Sequence, residues 1–242
     1  RFLNFILVPL YTQKFLPEEY GVVTTLYAFV SFLNIVLSYG METAYFRFSS
    51  GKLETHTEKD IAGSAFFSLL LSSSLFLLIN FLLSSSIADW LRIGEHPEYI
   101  IYFSLILFFD TLSIIPFARL RQQLKAFSFA GIKMFNILTN VLLNLFFIVW
   151  APKLIENGVN IPSWIYQENI GIGYIFISNL LASFLSFLLL IPQLIVKVKI
   201  NRNLLIKELL NYGFPLIWVG LAGMVNETLD RILLNYLLDE SI

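Results

Sequence analysis

The chain of 242 residues contains no cysteine, only two histidines and few charged side chains. The absence of cysteine excludes disulfides, thiolate metal sites and a cysteine nucleophile. His56 and His96 both lie in connecting stretches, so neither a histidine metal site nor a catalytic triad is expected. Charged residues make up 14% of the chain, against about 25% in a soluble domain. The net charge of −1 gives no reason to expect binding to nucleic acid.

Long apolar runs dominate the sequence, because 57% of the residues are hydrophobic. A run of about 20 apolar residues is long enough to cross a bilayer as a helix. The pattern therefore predicts an all-α, polytopic transmembrane bundle. Turn and charge signals divide the apolar residues into seven predicted spans, at 1–16, 21–48, 61–91, 98–119, 127–150, 171–196 and 214–238.

The first predicted span, 1–16, is shorter than a membrane helix should be. At 1.5 Å per residue it rises only about 24 Å, whereas a hydrocarbon core is about 30 Å thick. We therefore expect that the sequence is a fragment, which begins inside its first membrane helix and stops as its seventh ends.

Basic residues alternate between the two sides of the predicted bundle. Connecting stretches on one side carry ten lysines and arginines, and those on the other side carry three. By the positive-inside rule, the richer side is cytoplasmic and the N-terminus lies in the cytoplasm. The ten are Arg47, Lys52, Lys59, Arg119, Arg121, Lys125, Lys197, Lys199, Arg202 and Lys207, and the three are Lys14, Arg92 and Lys153.

Polar residues interrupt the seventh predicted span near its middle: Asn226, Glu227, Asp230 and Arg231. A charge at that depth costs at least about 2.5 kcal/mol on insertion scales, so it normally faces a bundle interior or a watery cavity. Glu227 and Arg231 are four residues apart and can pair on one helix face. They form either an internal ion pair that holds helices together or part of a transport site, and position alone favours neither.

Asp110 lies near the centre of the fourth predicted span. A midspan carboxylate must be paired, protonated or hydrated. It is either satisfied by an asparagine or serine of a neighbouring helix, or it is a proton or cation site or part of a cavity wall.

Polar side chains at helical spacing run along two further spans. The second span carries Asn34, Ser38 and Glu42, with Arg47 at its cytoplasmic end. The fifth carries an asparagine stripe at residues 136, 140 and 144, which favours helix–helix contacts over cavity lining. Such faces must point at each other or at water. The sequence therefore predicts a polar interior, which suits a transporter or flippase.

Three motifs carry a resemblance to a known family. Pro17-Glu-Glu-Tyr-Gly21 follows the first span, and Tyr39-Gly-Met-Glu-Thr-Ala-Tyr-Phe-Arg-Phe48 ends the second. Tyr212-Gly-Phe-Pro215 precedes Gly223-Met-Val-Asn-Glu-Thr-Leu-Asp-Arg231 in the seventh. The chain resembles bacterial polysaccharide flippases of the O-antigen type, in the multidrug/oligosaccharidyl-lipid/polysaccharide exporter superfamily. The resemblance implies about 12–14 helices, in two six-helix lobes around a central cavity. Residues 1–203 would then form the N-terminal lobe, and 204–242 would begin the C-terminal lobe.

The function that the resemblance implies is transport, not catalysis. An undecaprenyl-diphosphate-linked oligosaccharide would move from the inner to the outer leaflet of the bacterial cell membrane by alternating access. The product would enter cell-surface polysaccharide, such as lipopolysaccharide. The partners implied are the bilayer and the lipid-linked glycan, with H⁺ or Na⁺ and other polysaccharide-assembly membrane proteins as further candidates, and no cofactor is implied. A membrane-embedded glycosyltransferase is not favoured, because the longest loop, 151–170, carries only two acidic residues.

The site residues follow from the same resemblance, because guanidinium groups match phosphate oxygens in a two-pronged geometry. For the flippase, the substrate-binding candidates are Arg1, Arg47 and Arg231, with Glu42 and Asp230 as counter-charges and Asn226 and Glu227 beside them.

The alternative function is a cation-coupled drug or metabolite exporter of the same superfamily, in which Asp110 and Glu227 bind the proton or Na⁺.

Overall fold

The computed structural model describes residues 2–50, 57–91, 93, 96–194 and 202–225, with side chains described from residue 7 and, in the last range, from residue 205. Within these ranges the regular structure is helical. A π-helical turn, Phe146–Trp150, joins α6 to α7, and short 3₁₀ turns, Glu168–Ile170 and Ile191–Gln193, flank α8. The α-helices are α1 (Phe2–Lys14), α2 (Pro17–Ser38), α3 (Met41–Ser50), α4 (Glu58–Trp90), α5 (Glu98–Gln122), α6 (Ala126–Leu145), α7 (Ala151–Glu156), α8 (Gly173–Leu190) and α9 (Arg202–Gly213). Residues 216–225 are helical as well.

Among the described residues, six helical stretches are long and apolar enough to cross a membrane. Five of them match the second to sixth predicted spans, and the last, Leu205–Val225, overlaps the seventh, 214–238, over residues 214–225. The predicted class, an all-α polytopic transmembrane bundle, is confirmed. Helix α1 has 13 residues and rises about 20 Å, which is less than a hydrocarbon core. The six stretches are Pro17–Ser50, Glu58–Trp90, Glu98–Gln122, Ala126–Glu156, Gly173–Gln193 and Leu205–Val225.

Local signals explain where two of these helices begin. Pro17 stands in the first turn of α2, where the missing N–H of proline breaks no helical hydrogen bond. The carboxylate of Glu19 accepts a hydrogen bond of 3.0 Å from the backbone N–H of Leu16. At the start of α4, Thr57 and Asp60 form a reciprocal capping box, with bonds of 3.3 and 3.1 Å. The turn signals in the sequence are therefore helix starts.

The second predicted span lies within one membrane-spanning stretch, but its helix is interrupted between Ser38 and Met41. Tyr39 and Gly40 both adopt positive φ angles, 31° and 66°, which end α2 at Ser38 before α3 begins at Met41. A Cβ atom on Gly40 would lie 2.6 Å from the carbonyl oxygen of Gly213. Glycine at this position therefore permits both the left-handed conformation and a close backbone contact.

The prediction of a loop over residues 151–170 is wrong for its first residues. Ala151–Glu156 forms α7, which continues α6 through the π-helical turn. Pro152 lies two residues after the π-helical turn, and local π-helical adjustments of this kind let a membrane helix tolerate a proline. The remaining polar residues connect α7 to α8.

Helix α5 lies at the centre of the bundle, between α4 and α8. In its most apolar window 61% of the residues are buried, against 17% for α4. The buried core of α5 includes Leu107, Ile115 and Ala118. Helix α4 instead exposes leucines such as Leu75 and Leu82. An exposed leucine face on a membrane-spanning helix suits contact with lipid tails.

Hydrogen bonds between polar side chains join the helices inside this apolar shell. The Tyr11 hydroxyl donates to Asn144 at 2.9 Å, which joins α1 to α6. The Asn179 amide donates to the Tyr27 hydroxyl at 3.0 Å, which joins α8 to α2. Asn144 is fully buried, so the asparagine stripe forms a helix–helix contact at this residue, as predicted.

Candidate functional site

The structure covers only part of the predicted site. Five of the proposed residues, Arg1, Asn226, Glu227, Asp230 and Arg231, lie outside the described residues. Their roles stay predictions. The described members are Glu42, Arg47 and Asp110, and they lie on α3 and α5.

A buried ion pair marks the end of the bundle that is predicted to be cytoplasmic. Arg119, in the last turn of α5, donates from Nε to Oε1 of Glu58 at 2.8 Å and from Nη2 to Oε2 at 3.2 Å. Its Nη1 donates to the backbone carbonyl of Gln193, after α8. The guanidinium group therefore has acceptors on all three nitrogens and ties α4, α5 and the end of α8 together.

Tyr45 connects α3 to the same ion pair. Its side chain is fully buried, and its hydroxyl donates to Oε1 of Glu58 at 2.7 Å. The hydroxyl also contacts the side-chain amide of Gln122. Tyr45, Glu58, Arg119 and Gln122 form what we call the α5-end network. Breaking a buried ion pair on one side costs about 3–5 kcal/mol, so this network fixes the geometry of the surrounding helix ends.

A second, more exposed ion pair lies between α3 and α5. The guanidinium group of Arg121 pairs with the carboxylate of Glu42, and the two side chains are 45% and 36% exposed. The Arg121 Cζ atom also lies 5.5 Å from the ring centre of Phe46 and 5.3 Å from that of Phe129. Glu42 thus has an arginine partner, and that partner is Arg121. Its part in substrate binding stays a prediction.

Arg47 lies on the exposed side of α3 and contacts α9. Its Cζ atom is 4.3 Å from the ring centre of Tyr212, a cation–π contact that is worth about 0.5–1 kcal/mol at an exposed site. Gly213, the residue after Tyr212, touches Gly40. A Cβ atom on Gly213 would lie 2.6 Å from the carbonyl oxygen of Tyr39. We call this contact between α2–α3 and α9 the glycine seam.

Asp110 interacts with the side chains of Ser183 on α8 and Lys133 on α6. The Lys133 ammonium lies 4.2 Å from the ring centre of Phe117. Asp110 therefore has a polar neighbour and a counter-charge within the protein, which agrees with the interpretation that neighbouring helices satisfy its carboxylate. A cation at Asp110 would have to compete with Lys133, and the cation-site role stays a prediction. In the part of the chain that the structure describes, no three histidine, aspartate or glutamate side chains are grouped to hold a metal ion.

The sequence analysis does not predict the α5-end network. It places Arg119 among the basic residues of the cytoplasmic side, and Glu58 lies between the second and third predicted spans. A signal was present, because Arg119 stands between apolar residues in the run that ends α5. Its partner is 61 positions away in the chain, so the pairing itself depends on which helices are neighbours.

Comparison with known protein families decides the identity of this bundle. The sequence pattern of one family, described as polysaccharide biosynthesis protein, matches residues 15–242. The chain belongs to this polysaccharide biosynthesis family. The match confirms the resemblance to polysaccharide flippase-type proteins and assigns a role in polysaccharide biosynthesis and transport. With six helices able to cross a bilayer, this family member is a multi-pass membrane protein. Neither the curated proteins nor the solved structures gave a match.

Proposed function

We propose that this protein is a flippase for an undecaprenyl-diphosphate-linked oligosaccharide. It moves the lipid-linked glycan from the inner to the outer leaflet of the bacterial cell membrane by alternating access, for cell-surface polysaccharide biosynthesis. Its N-terminus faces the cytoplasm, and it acts as a transporter and not as an enzyme. The two lobes are those that the resemblance implies, with residues 204–242 beginning the second lobe.

The observation that carries the proposal is the position of Arg47 at the glycine seam. Arg47 stacks on Tyr212 across the contact between α3 and α9, which is the point where the two proposed lobes meet. An exposed guanidinium group there can receive a diphosphate through charge-assisted, two-pronged hydrogen bonds. Because the lobes touch through glycine backbones, small sliding or hinge movements do not require long side chains to separate.

The cation-coupled exporter is the weaker candidate. In that function Asp110 would bind a proton or Na⁺, but the charge of Lys133 already acts on its carboxylate. The described surface near the predicted cytoplasmic end also presents arginines, which favour an anionic cargo over a cationic drug.

A complementation experiment on the full-length protein tests the proposal. The gene is deleted, and the lipid-linked glycan on the inner leaflet is measured with and without the wild-type gene. We expect accumulation without the gene and clearance with it. Arg47→Ala and Arg231→Ala should reduce clearance while the amount of protein in the membrane stays the same. Lys125→Ala, which removes an exposed basic residue from the α5–α6 turn, is the matched control.

Two results would contradict the proposal. The first is a deletion strain without glycan accumulation but with altered sensitivity to cationic drugs, which would favour the exporter. The second is an equal loss of export and of protein abundance in Arg47→Ala, which would make Arg47 a structural residue.

A further inference from the structure

Lys133 occupies an unusual place for a charged residue. It lies seven positions after the start of α6, about 10 Å along the helix axis, and its side chain is exposed in the described structure. A lysine this far inside a membrane-spanning helix is unfavourable against lipid, so it faces protein or a water-filled cavity. Asn136 and Asn140 follow at spacings of three and seven residues and extend the same polar stripe. This side of α6 is therefore an inner wall of the bundle.

A second cation lies near Lys133. Arg121, at the end of α5, contacts the ring of Phe129, and Lys133 contacts the ring of Phe117; the centres of these two rings are 5.3 Å apart. Aromatic rings flank both groups: Phe117 beside Lys133 at 4.2 Å, and Phe46 and Phe129 beside Arg121 at 5.5 and 5.3 Å. The rings keep water from parts of both cations and so strengthen their electrostatic attraction for an anion.

Arg121 retains donors that the protein does not use, and the side chain of Lys133, whose charge acts on Asp110, is exposed. Arg121 has five N–H donors, of which one carboxylate accepts at most two in a fork. Its acidic partner, Glu42, is itself 36% exposed. Arg119 provides the contrast, because it is 6% exposed and bonds to Glu58 and to the Gln193 carbonyl. Arg121 is therefore open to a further anion, and Arg119 is not.

We propose that Arg121 and Lys133 form an additional binding site for a phosphate group, and that Glu42 is the resident anion that this phosphate displaces. The inference rests on the proposed function, because the phosphate would belong to the diphosphate of the lipid-linked cargo. An anionic phospholipid headgroup has the same phosphate chemistry, and the experiment separates the two sources.

Binding to the full-length protein in phosphatidylcholine nanodiscs tests the site. The probes are undecaprenyl diphosphate and phosphatidylglycerol, and the measured quantity is the Kd of each. Because one charge-assisted contact to phosphate is lost in each variant, Arg121→Gln and Lys133→Gln should each weaken diphosphate binding about tenfold. Lys133→Arg, which keeps the charge, should bind like the wild type. Lys125→Gln removes a nearby exposed charge and should have no effect.

A substitution of Glu42 should change the affinity for the diphosphate in the opposite direction. Glu42→Gln removes the competing carboxylate, so diphosphate should bind several-fold more tightly. A purely structural ion pair would instead give weaker binding in Glu42→Gln and in Arg121→Gln alike. The amount of folded protein is measured for every variant by size-exclusion chromatography.

Three outcomes would overturn the inference. If wild-type protein binds the diphosphate and Arg121→Gln and Lys133→Gln bind it equally well, the site is elsewhere, while the proposed transport function stands. If both variants lose phosphatidylglycerol binding to the same extent, the site recognises membrane lipid and not cargo. If wild-type protein does not bind undecaprenyl diphosphate, the inference fails, and glycan clearance in cells then decides separately whether the proposed function fails too.

Discussion

Replacing Glu58 by leucine should destabilise the protein more than replacing Arg119 by methionine, although each change breaks the same ion pair. The Arg119 side chain is 8% exposed and that of Glu58 is 32% exposed. Without Glu58, the buried guanidinium group loses its carboxylate partner and keeps the carbonyl of Gln193 as an acceptor. Without Arg119, water reaches the carboxylate of Glu58, and the Tyr45 hydroxyl still donates to it.

The magnitudes follow from the cost of leaving a charge without its partner. Loss of the partner of a buried charge costs about 3–5 kcal/mol, which we expect for Glu58→Leu. For Arg119→Met we expect about 1–2 kcal/mol, because the remaining charge is partly solvated. The double replacement should cost less than Glu58→Leu alone, since no unpaired charge remains and an apolar pair can replace a buried ion pair at little cost.

The free energy of unfolding is measured by titration of the purified full-length protein in mixed detergent micelles with a denaturing detergent, followed by tryptophan fluorescence. Lys59→Ala, an exposed neighbour of Glu58, is the control and should change the free energy of unfolding by less than about 0.5 kcal/mol. Equal losses in the two single variants would refute the argument from burial. Strictly additive losses in the double variant would show that the two residues do not act as a pair.

Three further predictions use the same unfolding measurement. Gly40→Ala should lower the free energy of unfolding by about 2 kcal/mol or more. Alanine is disfavoured by about 1–2 kcal/mol in the left-handed conformation, and its Cβ would lie 2.6 Å from the Gly213 carbonyl oxygen. A loss below about 0.5 kcal/mol, the size of an ordinary surface substitution, would argue against the glycine seam. Gly131→Ala should stabilise the protein by about 0.5–1 kcal/mol, because it lies inside α6 with open space around it; destabilisation would mean that another part of the protein packs there. Asn144→Leu and Tyr11→Phe should each lower the free energy of unfolding by about 0.6 kcal/mol, the average for a hydrogen bond between membrane helices. The double variant should lose no more than either single variant, and additive losses would show that the bond contributes nothing.

The sequence predicted the parts of the fold that depend on short-range patterns. The described membrane-spanning stretches and the helix contact at Asn144 follow from hydropathy and helical spacing, whereas the start of α2 at Pro17 lies four residues before the predicted start of the second span. The break at Tyr39 and Gly40 does not follow from these patterns, because a tyrosine and a single glycine inside an apolar run are compatible with a continuous helix. The contact with Gly213, more than 170 positions later in the chain, requires the break.

The candidate site was less predictable for the same reason. Positive charges near the ends of spans were visible in the sequence, but their partners were not. Glu42 contacts Arg121, and Glu58 contacts Arg119, and both pairs cross between helices. Helical spacing identifies residues that share a face of one helix, whereas such pairs depend on how the helices pack.

Transport of the lipid-linked glycan in a purified system tests the central claim most directly. The full-length protein is reconstituted in liposomes with labelled undecaprenyl-diphosphate oligosaccharide in both leaflets, and a membrane-impermeant glycosidase is added outside. Protein-free liposomes should release only the outer-leaflet share of the label. We predict that liposomes with the wild-type protein release the inner-leaflet share as well, and that Arg47→Ala slows this second phase. Release that stops at the outer-leaflet share in intact wild-type liposomes, under an imposed H⁺ or Na⁺ gradient as well as without one, would contradict the account.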